Sequence, residues 1–570
     1  MQGIMMDRPL LISAMLDHAE RTYGDHRIAA RDTDGSIWTY TYREMAARAR
    51  RLANALARLG VERGTRVATL AWNDHRHLEA YFAVPGIGAV LHTCNPRLHV
   101  DQLAYVLEHA GDTVLLFDPS FAPLVEAVAS RCPSIRHFIC LGGDASALSG
   151  VSKMLAYESC LETSSDRFTW PEFDEKTASG LCYTSGTTGN PKGVLYSHRS
   201  TVLHSLVLGG AQALSLSARD TVMPVVPMFH VNAWGLPYAA PLNGCHLVLP
   251  GARLDPASLY ELAESHRVTC AAGVPTIWLA LAQYMEQHSL KPTTLRRSVV
   301  GGAAMPASLI RTFAEHFDVE VRHAWGMTET SPIGTISRST TDDVEADRDP
   351  CEGDLDAQAQ NERYRQASAQ GHPVFGVEIA LRGANDARLP RDGKACGELM
   401  IRGPWIASGY FASDATACVD GAFAGWFATG DVATIDASGC MRITDRVKDV
   451  IKSGGEWISS IDLENAAMAH PAVSIAAVIG VPHPKWDERP HLFVLPKPGG
   501  EVSAQALRAF LSERVAKWWL PEGIDFVDAM PLGATGKVQK QRLREVYATR
   551  HAGADTAPCD ASRTGPALVS

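Results

Sequence analysis

Residues 183 to 193 read Tyr183-Thr184-Ser185-Gly186-Thr187-Thr188-Gly189-Asn190-Pro191-Lys192-Gly193. Three glycines permit close approach of backbone N–H groups to an anion, four hydroxyls add donors, and the lysine adds positive charge. The spacing is not that of a Walker A loop, because Pro191 stands where that pattern needs glycine and Gly193 follows the lysine. The stretch predicts a polyphosphate-binding loop, and a surface turn remains the alternative.

Short apolar runs alternate with amphipathic runs on both sides of this stretch. Such β–α alternation predicts an α/β fold with mainly parallel sheets covered by helices. The predicted strands are Arg66–Leu70, 113–117, 136–141, His246–Leu249, 268–272 and 295–300, and the predicted helices are 77–84, 101–109 and 276–284.

The chain length sets a soft expectation for the number of domains. At about 150 residues per domain, 570 residues correspond to three or four domains. The pattern of predicted strands and helices favours fewer domains, one large and one small. The small one is a compact segment that begins near residue 446 and has its own strands at 475–479 and 492–495 and a helix at 503–515. Residues 340–370 are rich in Asp, Glu, Gln and Ala, which predicts a polar surface excursion of the larger domain, and 551–570 are small and polar, which predicts a disordered tail.

Composition and charge exclude several classes of protein. The chain has 53 Lys and Arg against 63 Asp and Glu, a formal net charge of −10, which is a poor match to a nucleic-acid backbone. Its 12 scattered cysteines show no zinc spacing and are typical of a reduced, cytoplasmic protein. Early charged residues break any signal-peptide pattern, and no apolar run is long enough to cross a membrane.

Five sequence blocks then occur in a fixed order along the chain. They are the stretch at 183–193, Trp325-Gly326-Met327-Thr328-Glu329-Thr330, Trp426-Phe427-Ala428-Thr429-Gly430-Asp431, Asp445-Arg446-Val447-Lys448-Asp449-Val450-Ile451-Lys452-Ser453-Gly454-Gly455-Glu456, and Gly536-Lys537. In this order they resemble the acyl-adenylate-forming superfamily, which contains acyl-CoA synthetases, firefly luciferase and peptide adenylation domains. The resemblance spans residues 40–545. It implies a large N-terminal AMP- and acyl-binding domain at 1–445 and a small mobile α+β domain at 446–550.

Two further segments resemble one branch of that superfamily. Residues 228–234, Met-Phe-His-Val-Asn-Ala-Trp, are similar to bacterial medium- and long-chain fatty-acyl-CoA synthetases, and 72–81 are similar to these and to methylthiopropionate-CoA ligases. Met228-Phe229-His230 lacks the acidic residue that amino-acid-activating members place there, so an apolar acyl chain is favoured.

The resemblance implies a set of ATP- or AMP-binding residues. They are Thr184, Ser185, Gly186, Thr187, Thr188, Gly189, Lys192, His323, Ala324, Trp325, Thr328, Asp431, Arg446, Lys448, Lys452 and Trp457. Within it, Thr184 and Glu329 correspond to the positions associated with Mg²⁺, Asp431 and Arg446 to the ribose contacts, and Trp325 to the ring that stacks on adenine. Taken as plain sequence, Glu329 could instead be a solvated carboxylate and Asp431 part of an Asx turn.

The remaining assignments concern catalysis, the acyl chain and CoA. The resemblance makes Lys537, Glu329 and Thr184 catalytic, with Lys537 entering the active site for adenylation. It makes Lys448 the hinge about which the small domain rotates. The acyl-binding residues are His230, Val231, Trp234, Gly302 and Ala303, and the CoA tunnel residues are Gly454 and Gly455. Plain alternatives are an exposed turn lysine for Lys537 and core packing at helical i, i+4 spacing for His230 and Trp234.

The sequence therefore predicts a fatty-acid–CoA ligase that uses ATP, CoA and Mg²⁺ and has a fatty acid as its substrate. The enzymatic alternative is a CoA ligase for a short or unusual acid, such as 3-methylthiopropionate or an aryl acid. The alternative from another class is a non-catalytic nucleotide-binding regulator. A homodimer is a further expectation from the resemblance.

Overall fold

The computed structural model describes residues 1, 3–142, 151, 154–184, 190–337, 357–413, 417–453, 456–497, 499–500, 502–533 and 538–551. The chain divides into two compact units, Met1–Thr444 and Asp445–Ser570. Each unit has its own apolar core.

The strands of the described residues are numbered β1 to β25 in chain order. They are β1 Arg27–Arg31, β2 Ile37–Thr41, β3 Arg66–Leu70, β4 Val90–Thr93, β5 Val114–Phe117, β6 His137–Cys140, β7 Met154–Ala156, β8 Ala178–Tyr183, β9 Gly193–Ser197, β10 Thr221–Pro224, β11 His246–Leu249, β12 Cys270–Gly273, β13 Arg297–Val300, β14 Glu320–Gly326, β15 Ile333–Ile336, β16 His372–Pro373, β17 Glu378–Arg382, β18 Gly397–Arg402, β19 Phe427–Ile435, β20 Met441–Arg446, β21 Ile451–Ser453, β22 Glu456–Ile458, β23 Val473–His483, β24 Asp487–Pro496 and β25 Gly523–Phe526.

The α-helices alternate with these strands through most of the chain. They are Ile12–Tyr23, Tyr42–Arg58, His75–Gly86, Val100–Ala110, Ala122–Ala129, Tyr157–Glu162, His198–Gly209, Leu236–Leu242, Pro256–Ser265, Pro275–Gln287, Ala307–Phe317, Ala357–Ala367, Ser460–Met468, Ala504–Ser512 and Lys540–His551. The helix Tyr42–Arg58 shows why such segments are helical: Thr41 and Glu44 form a reciprocal capping box, and its apolar side chains recur on one face, which is buried.

Two large sheets dominate the N-terminal unit. One has seven strands in the order β7-β6-β5-β3-β4-β8-β9, and the other has nine in the order β16-β15-β14-β13-β12-β10-β11-β1-β2. In the first sheet every pair is parallel except β8 with β9. The prediction of mainly parallel, helix-covered sheets is confirmed, although only β3, β5 and β6 of the first sheet and β11, β12 and β13 of the second were predicted as strands.

A third sheet in the N-terminal unit was missed by the sequence analysis. Strands β17 to β20 lie side by side in chain order, and the β17–β18 and β18–β19 pairs are antiparallel. In the described residues its strands follow one another without intervening α-helices, so they lack the β–α alternation that revealed the other two sheets.

The C-terminal unit is built on a mixed five-stranded sheet of β21 to β25, in which β24 pairs in parallel with β25 and antiparallel with β23. Strands and a helix occur where the sequence predicted them at 475–479, 492–495 and 503–515. A buried ion pair joins Lys540 Nζ to Glu464 Oε1 over 2.8 Å, and Lys540 also contacts Ser460. The predicted tail at 551–570 lies outside the described residues except for His551.

Two expectations from composition concern cysteines and membranes. The ten cysteines in the described ranges form no disulfide, and six of them are buried. None of the helices in the described part of the chain combines the length and the hydropathy that a bilayer crossing requires.

Candidate active site

The glycine-rich stretch begins as strand β8 ends and leads directly into β9. Tyr183 pairs with Gly193 across the two antiparallel strands. Beyond this pair the Thr184 N–H donates to the Lys192 carbonyl over 2.9 Å, and the Lys192 N–H donates to Thr184 Oγ1 over 3.3 Å. Thr184 and Lys192 therefore face each other at the base of the stretch. Ser185, Gly186, Thr187, Thr188 and Gly189 lie outside the described residues.

Gly193 has a packing reason to be glycine. A Cβ at this position would lie 3.1 Å from Leu181 Cδ1, 3.1 Å from Phe411 Cβ and 3.2 Å from Tyr183 Cζ. Its own carbonyl accepts a hydrogen bond from the Phe411 N–H over 2.8 Å. A side chain at this position would therefore be tightly packed, and its neighbours would have to shift by a few tenths of an ångström.

Glu329 lies in the short turn Thr328–Thr330, which follows β14. The turn is tied to the glycine-rich hairpin, because the Tyr196 hydroxyl donates to the Thr328 carbonyl over 2.7 Å. Glu329 is only 5% exposed, and its Oε1 accepts a hydrogen bond from the Tyr410 hydroxyl over 2.8 Å. The interpretation of Glu329 as a solvated loop carboxylate is therefore wrong, because the side chain is buried and hydrogen-bonded.

Tyr410 also contacts Lys192. The ammonium of Lys192 lies 4.8 Å from the centroid of the Tyr410 ring. One aromatic side chain thus links Thr184 and Lys192 to Glu329, three residues that the sequence assigned to one site. Tyr410 itself was missed, because it stands 81 residues after Glu329 in a segment without local periodicity.

The donor chemistry of this group fits Mg²⁺. Among the described residues no cluster of three or more His, Cys, Asp and Glu side chains forms a metal cage. Mg²⁺ does not need one, because it is commonly held by one or two carboxylates together with substrate phosphates and water. The carboxylate of Glu329 and the hydroxyl of Thr184 are hard oxygen donors of the required kind.

Asp431 lies inside strand β19, where Gly430 before it has φ +72°. Its Oδ2 accepts a hydrogen bond from the indole N–H of Trp325 over 2.9 Å, and both residues are buried. The Asx-turn interpretation of Asp431 is therefore wrong, because the residue is in a strand and its carboxylate pairs with a side chain of β14. Trp325 also lies against Gly334, where a Cβ would be 2.5 Å from Trp325 Cζ3.

His323 and Ala324 precede Trp325 on β14. His323 is 1% exposed, and its Nδ1 and Nε2 lie 2.8 and 3.2 Å from the carbonyl oxygens of Ser368 and Ala303. Burial lowers the pKa of His323, so the neutral ring donates to one of these carbonyls at a time. The histidine thereby holds the segment that contains Gly302 and Ala303 beside β14.

The proposed acyl residues His230, Val231 and Trp234 lie on an unusual turn. The φ angles of Val231, Asn232, Ala233 and Trp234 are +40°, +57°, +45° and +57°, so the chain is left-handed here. The helical i, i+4 interpretation of His230 and Trp234 is therefore wrong. Left-handed backbone costs roughly 1–2 kcal/mol per residue for non-glycine residues, so surrounding contacts must stabilise this turn.

Those contacts come from the segment 72–81 that resembled the same enzyme branch. The Asn73 amide donates to the carbonyls of Pro224 and Val226, both over 2.8 Å, and the Met228 N–H donates to Asn73 Oδ1 over 2.6 Å. The Tyr81 hydroxyl lies 3.3 Å from Asn232 Oδ1, inside the turn itself. Asn73 therefore anchors the chain just before the turn, and Tyr81 contacts a side chain of the turn itself.

The turn brings Trp234 over the segment that carries Gly302 and Ala303. A Cβ on Gly301 would lie 3.3 Å from Trp234 Cη2 and 3.0 Å from the Ala324 carbonyl oxygen. Gly301, which directly precedes Gly302 and Ala303, thus lies between Trp234 and the Ala324 carbonyl.

The other assigned residues belong to the C-terminal unit. Arg446 is the last residue of β20, and Lys452 in β21 pairs with Trp457 in β22. Lys448 lies between β20 and β21 in the chain, and burial lowers the pKa of its ammonium. The side chain of Trp457, together with Gly454, Gly455 and Lys537, lies outside the described residues. The segment that contains Lys537 is bounded by a bridge between Leu532 and Val538 and by the buried Lys540.

Comparison with known families agrees with the order of the sequence blocks. Residues 16–411 match the family model described as AMP-binding enzyme, and residues 462–537 match its C-terminal domain model. The resemblance stated from the sequence motifs is thereby confirmed.

Two curated relatives cover nearly the whole chain. A 3-methylmercaptopropionyl-CoA ligase of Ruegeria lacuscaerulensis is 48% identical over 549 residues, which is 96% of this chain and 99% of the relative. A medium-chain-fatty-acid–CoA ligase of Ectopseudomonas oleovorans is 45% identical over 548 residues, covering 96% and 98%. The solved structure of an anthranilate CoA ligase with anthranoyl-AMP superposes with a TM-score of 0.83 at 24% identity, covering 96% and 99%, and confirms the fold.

Proposed function

The chain belongs to the AMP-binding enzyme family, and on that premise we propose that it is a fatty-acid–CoA ligase. ATP and the carboxylate would form acyl-AMP and pyrophosphate, and the CoA thiol would then displace AMP to form the acyl-CoA thioester. The observation that carries the proposal is the left-handed turn that sets Trp234 over Gly301, with Met228, Phe229 and Val231 buried around it. Apolar side chains of this kind suit an acyl chain, and none of residues 228–234 is an acidic residue that could bind an amino group.

The first half-reaction requires stabilisation of charge that develops on the α-phosphate as pyrophosphate leaves. We assign Lys192 and the stretch around it to the phosphates of ATP. Thr184 and Glu329 would hold Mg²⁺, which when bound neutralises phosphate charge. Both are connected to Lys192 by the contacts at the base of the stretch and through Tyr410.

The nucleoside would bind along strands β14 and β19. We assign the ribose hydroxyls to the carboxylate of Asp431, which its bond to Trp325 holds in one orientation. The adenine is assigned to the neighbourhood of Trp325, His323 and Ala324. These assignments rest on the resemblance and on the proximity of Trp325 to Asp431.

Residues of the C-terminal unit would serve the two half-reactions in turn. We propose that Lys537 contacts the acyl carboxylate and phosphate oxygens during adenylation. Rotation about Lys448 would then withdraw it and bring Gly454 and Gly455 to the pantetheine of CoA. The same site must first release pyrophosphate and then admit the long thiol of CoA, and this is a physical reason for such a rotation.

A second candidate is a ligase for a short thioether acid. It is favoured by the relative at 48% identity that is named a 3-methylmercaptopropionyl-CoA ligase. Both candidates share the same chemistry at the carboxylate and differ in how much apolar chain the pocket accepts.

The deciding experiment is a panel of acids in a pyrophosphate-release assay with CoA present. The panel contains propionate, 3-methylmercaptopropionate, octanoate, palmitate and benzoate. The proposed function predicts the highest kcat/KM for octanoate or palmitate, and acyl-CoA as the product in mass spectrometry. A maximum at 3-methylmercaptopropionate would select the second candidate, and pyrophosphate release without a thioester would refute both.

A further inference from the structure

A segment outside the assigned motifs, residues 405–411, is attached to both halves of the candidate phosphate site. Its Ala407 N–H donates to the Glu329 carbonyl over 2.8 Å, and its Phe411 N–H donates to the Gly193 carbonyl over 2.8 Å. At its start the Trp405 carbonyl accepts from Ser331 Oγ over 2.7 Å. The segment therefore spans from the turn that bears Glu329 to the first residue of β9.

Tyr410 is the side chain of this segment that enters the site. Its hydroxyl donates to Glu329 Oε1 over 2.8 Å, and its ring face lies 4.8 Å from Lys192 Nζ. The residue is half-buried, and its ring also meets the edge of Phe427. One side chain thus binds an anion through its hydroxyl and a cation through its π face.

The contacts of Tyr410 with Glu329 and with Lys192 have different physical effects. Glu329 is buried, and a buried carboxylate requires hydrogen-bond donors to remain ionised and in one rotamer. Lys192 is exposed and has a long flexible side chain, so a contact with an aromatic face restricts where its ammonium lies.

We propose that Tyr410 is a positioning residue that orients the Glu329 carboxylate toward Mg²⁺ and holds the Lys192 ammonium beside the phosphates of ATP. This inference rests on the proposed function, because it needs MgATP as the ligand. It adds a residue that none of the sequence blocks contains. Tyr410 does not touch the reacting atoms and acts through Glu329 and Lys192.

The two contacts can be separated by two substitutions. Tyr410→Phe removes the hydroxyl and keeps the ring, so it tests the contact with Glu329. Tyr410→Leu removes both contacts. Tyr260→Phe is the matched control, because the Tyr260 hydroxyl donates to the backbone carbonyl of Lys291 over 3.2 Å, in another part of the N-terminal unit.

The experiment measures ATP binding by isothermal titration calorimetry on the full chain, without any acid, once with saturating Mg²⁺ and once with EDTA. The readout is the factor by which Mg²⁺ strengthens ATP binding. We expect Tyr410→Phe to reduce this factor about tenfold, the size of one hydrogen bond to a charged group. In EDTA it should bind ATP within about twofold of the wild type, whereas Tyr410→Leu should bind about three- to fivefold more weakly.

A purely structural role would lower the thermal midpoint of Tyr410→Phe and leave the magnesium factor at its wild-type value, which would overturn the proposal. The proposal would also be overturned if Tyr260→Phe reduced the effect of Mg²⁺ on ATP binding to the same extent as Tyr410→Phe. A wild type that binds MgATP but activates no acid would refute the proposed function while leaving Tyr410 to be judged by the binding data. A wild type without any magnesium effect would refute both.

Discussion

The indole N–H of Trp325 donates a hydrogen bond to Oδ2 of Asp431 over 2.9 Å. The two residues are 106 positions apart and lie on strands of different sheets, β14 and β19. Both are buried, so the tryptophan partly compensates the cost of holding a carboxylate away from water. The side chain assigned to adenine and the side chain assigned to ribose are therefore a single hydrogen-bonded unit.

Removal of the indole N–H should weaken nucleotide binding. Trp325→Phe keeps an aromatic ring but leaves Asp431 Oδ2 without this donor, which costs about 1–3 kcal/mol. We expect a lower thermal midpoint and a KM for ATP raised about five- to twentyfold, with a smaller change in the KM for the acid. Steady-state kinetics with each substrate varied in turn check this.

Trp278→Phe is the control for that substitution. Its indole N–H donates to the Gly273 carbonyl over 3.1 Å in a buried position without a carboxylate partner. It should lower the thermal midpoint and leave the KM for ATP unchanged. An equal rise of that KM in both variants would contradict a specific role for the Trp325–Asp431 pair.

The contact between Trp234 and Gly301 should govern acyl selectivity. Gly301→Ala would place a methyl 3.3 Å from Trp234 Cη2 and 3.0 Å from the Ala324 carbonyl oxygen. Trp234 or the backbone at Ala324 must then shift, so the KM for the acid should rise. Trp234→Ala should instead change the preferred chain length. The measurement is kcat/KM over a series of straight-chain acids.

Gly180→Ala serves as the matched control, because the added methyl would meet Tyr196 Cδ2 at 3.6 Å and the Leu91 carbonyl oxygen at 3.7 Å, which are ordinary contacts. It should leave the chain-length profile as in the wild type. An unchanged profile in Trp234→Ala would remove Trp234 from the acyl pocket.

Substitution of Lys537 should separate the two half-reactions. Lys537→Ala should reduce acyl-AMP formation at least a hundredfold, in line with the loss of a charge that stabilises a transition state. Thioester formation from supplied acyl-AMP and CoA should stay within about threefold of the wild type, because the proposed rotation withdraws the lysine from that step. Single-turnover assays of each step make the comparison.

Lys517→Ala, at an exposed lysine of the C-terminal unit, is the control and should affect neither step. If Lys537→Ala lost both steps equally, its assignment to adenylation alone would be refuted.

Asp74 should make stability depend on pH. Asp74 caps the helix His75–Gly86 by accepting from the His77 N–H over 2.8 Å, and burial raises its pKa to about 7. The folded state therefore binds a proton that the unfolded chain loses near pH 4. Below about pH 4 the protonated side chain gives its full contribution to the free energy of unfolding, and this contribution is lost as the pH rises to about 7. Each unit of difference between the pKa of Asp74 in the folded and in the unfolded chain corresponds to about 1.4 kcal/mol.

Asp74→Asn tests this dependence, because asparagine caps helices as well as aspartate but does not titrate. The fall in thermal midpoint between pH 5 and pH 8 should be smaller in the variant than in the wild type. Parallel midpoint curves for the two proteins would show that Asp74 does not titrate in this range.

Local patterns predicted the parts of the fold that local physics controls. The alternation of apolar runs predicted strands such as β3 and β11 and helices such as Pro275–Gln287, because each buries one face by its own periodicity. It did not predict the sheet of β17 to β20. It also did not predict the left-handed turn at Val231–Gly235, because its support is distant in sequence: Tyr81 contacts Asn232 in the turn, and Asn73 binds the backbone at Met228 just before it.

In the candidate site, too, the sequence indicated residue types, whereas the structure showed their contacts. Thr184, Lys192, Glu329 and Asp431 stand in sequence blocks whose order identifies the family, so their residue types could be assigned before any coordinates. The burial of Glu329 and the strand position of Asp431 overturned simpler interpretations, because each carboxylate meets a donor, Tyr410 or Trp325, about 80 to 110 positions away.

The sequence by itself determined the family and the two-part organisation and led to proposed site residues, because short ordered blocks and periodicity carry this information. Only the tertiary structure decided which side chains support them. Tyr410 and Asn73 have no local signature, because their hydrogen bonds join residues 81 to 155 positions apart. Such contacts depend on how sheets and turns pack, and packing is a property of the folded chain as a whole.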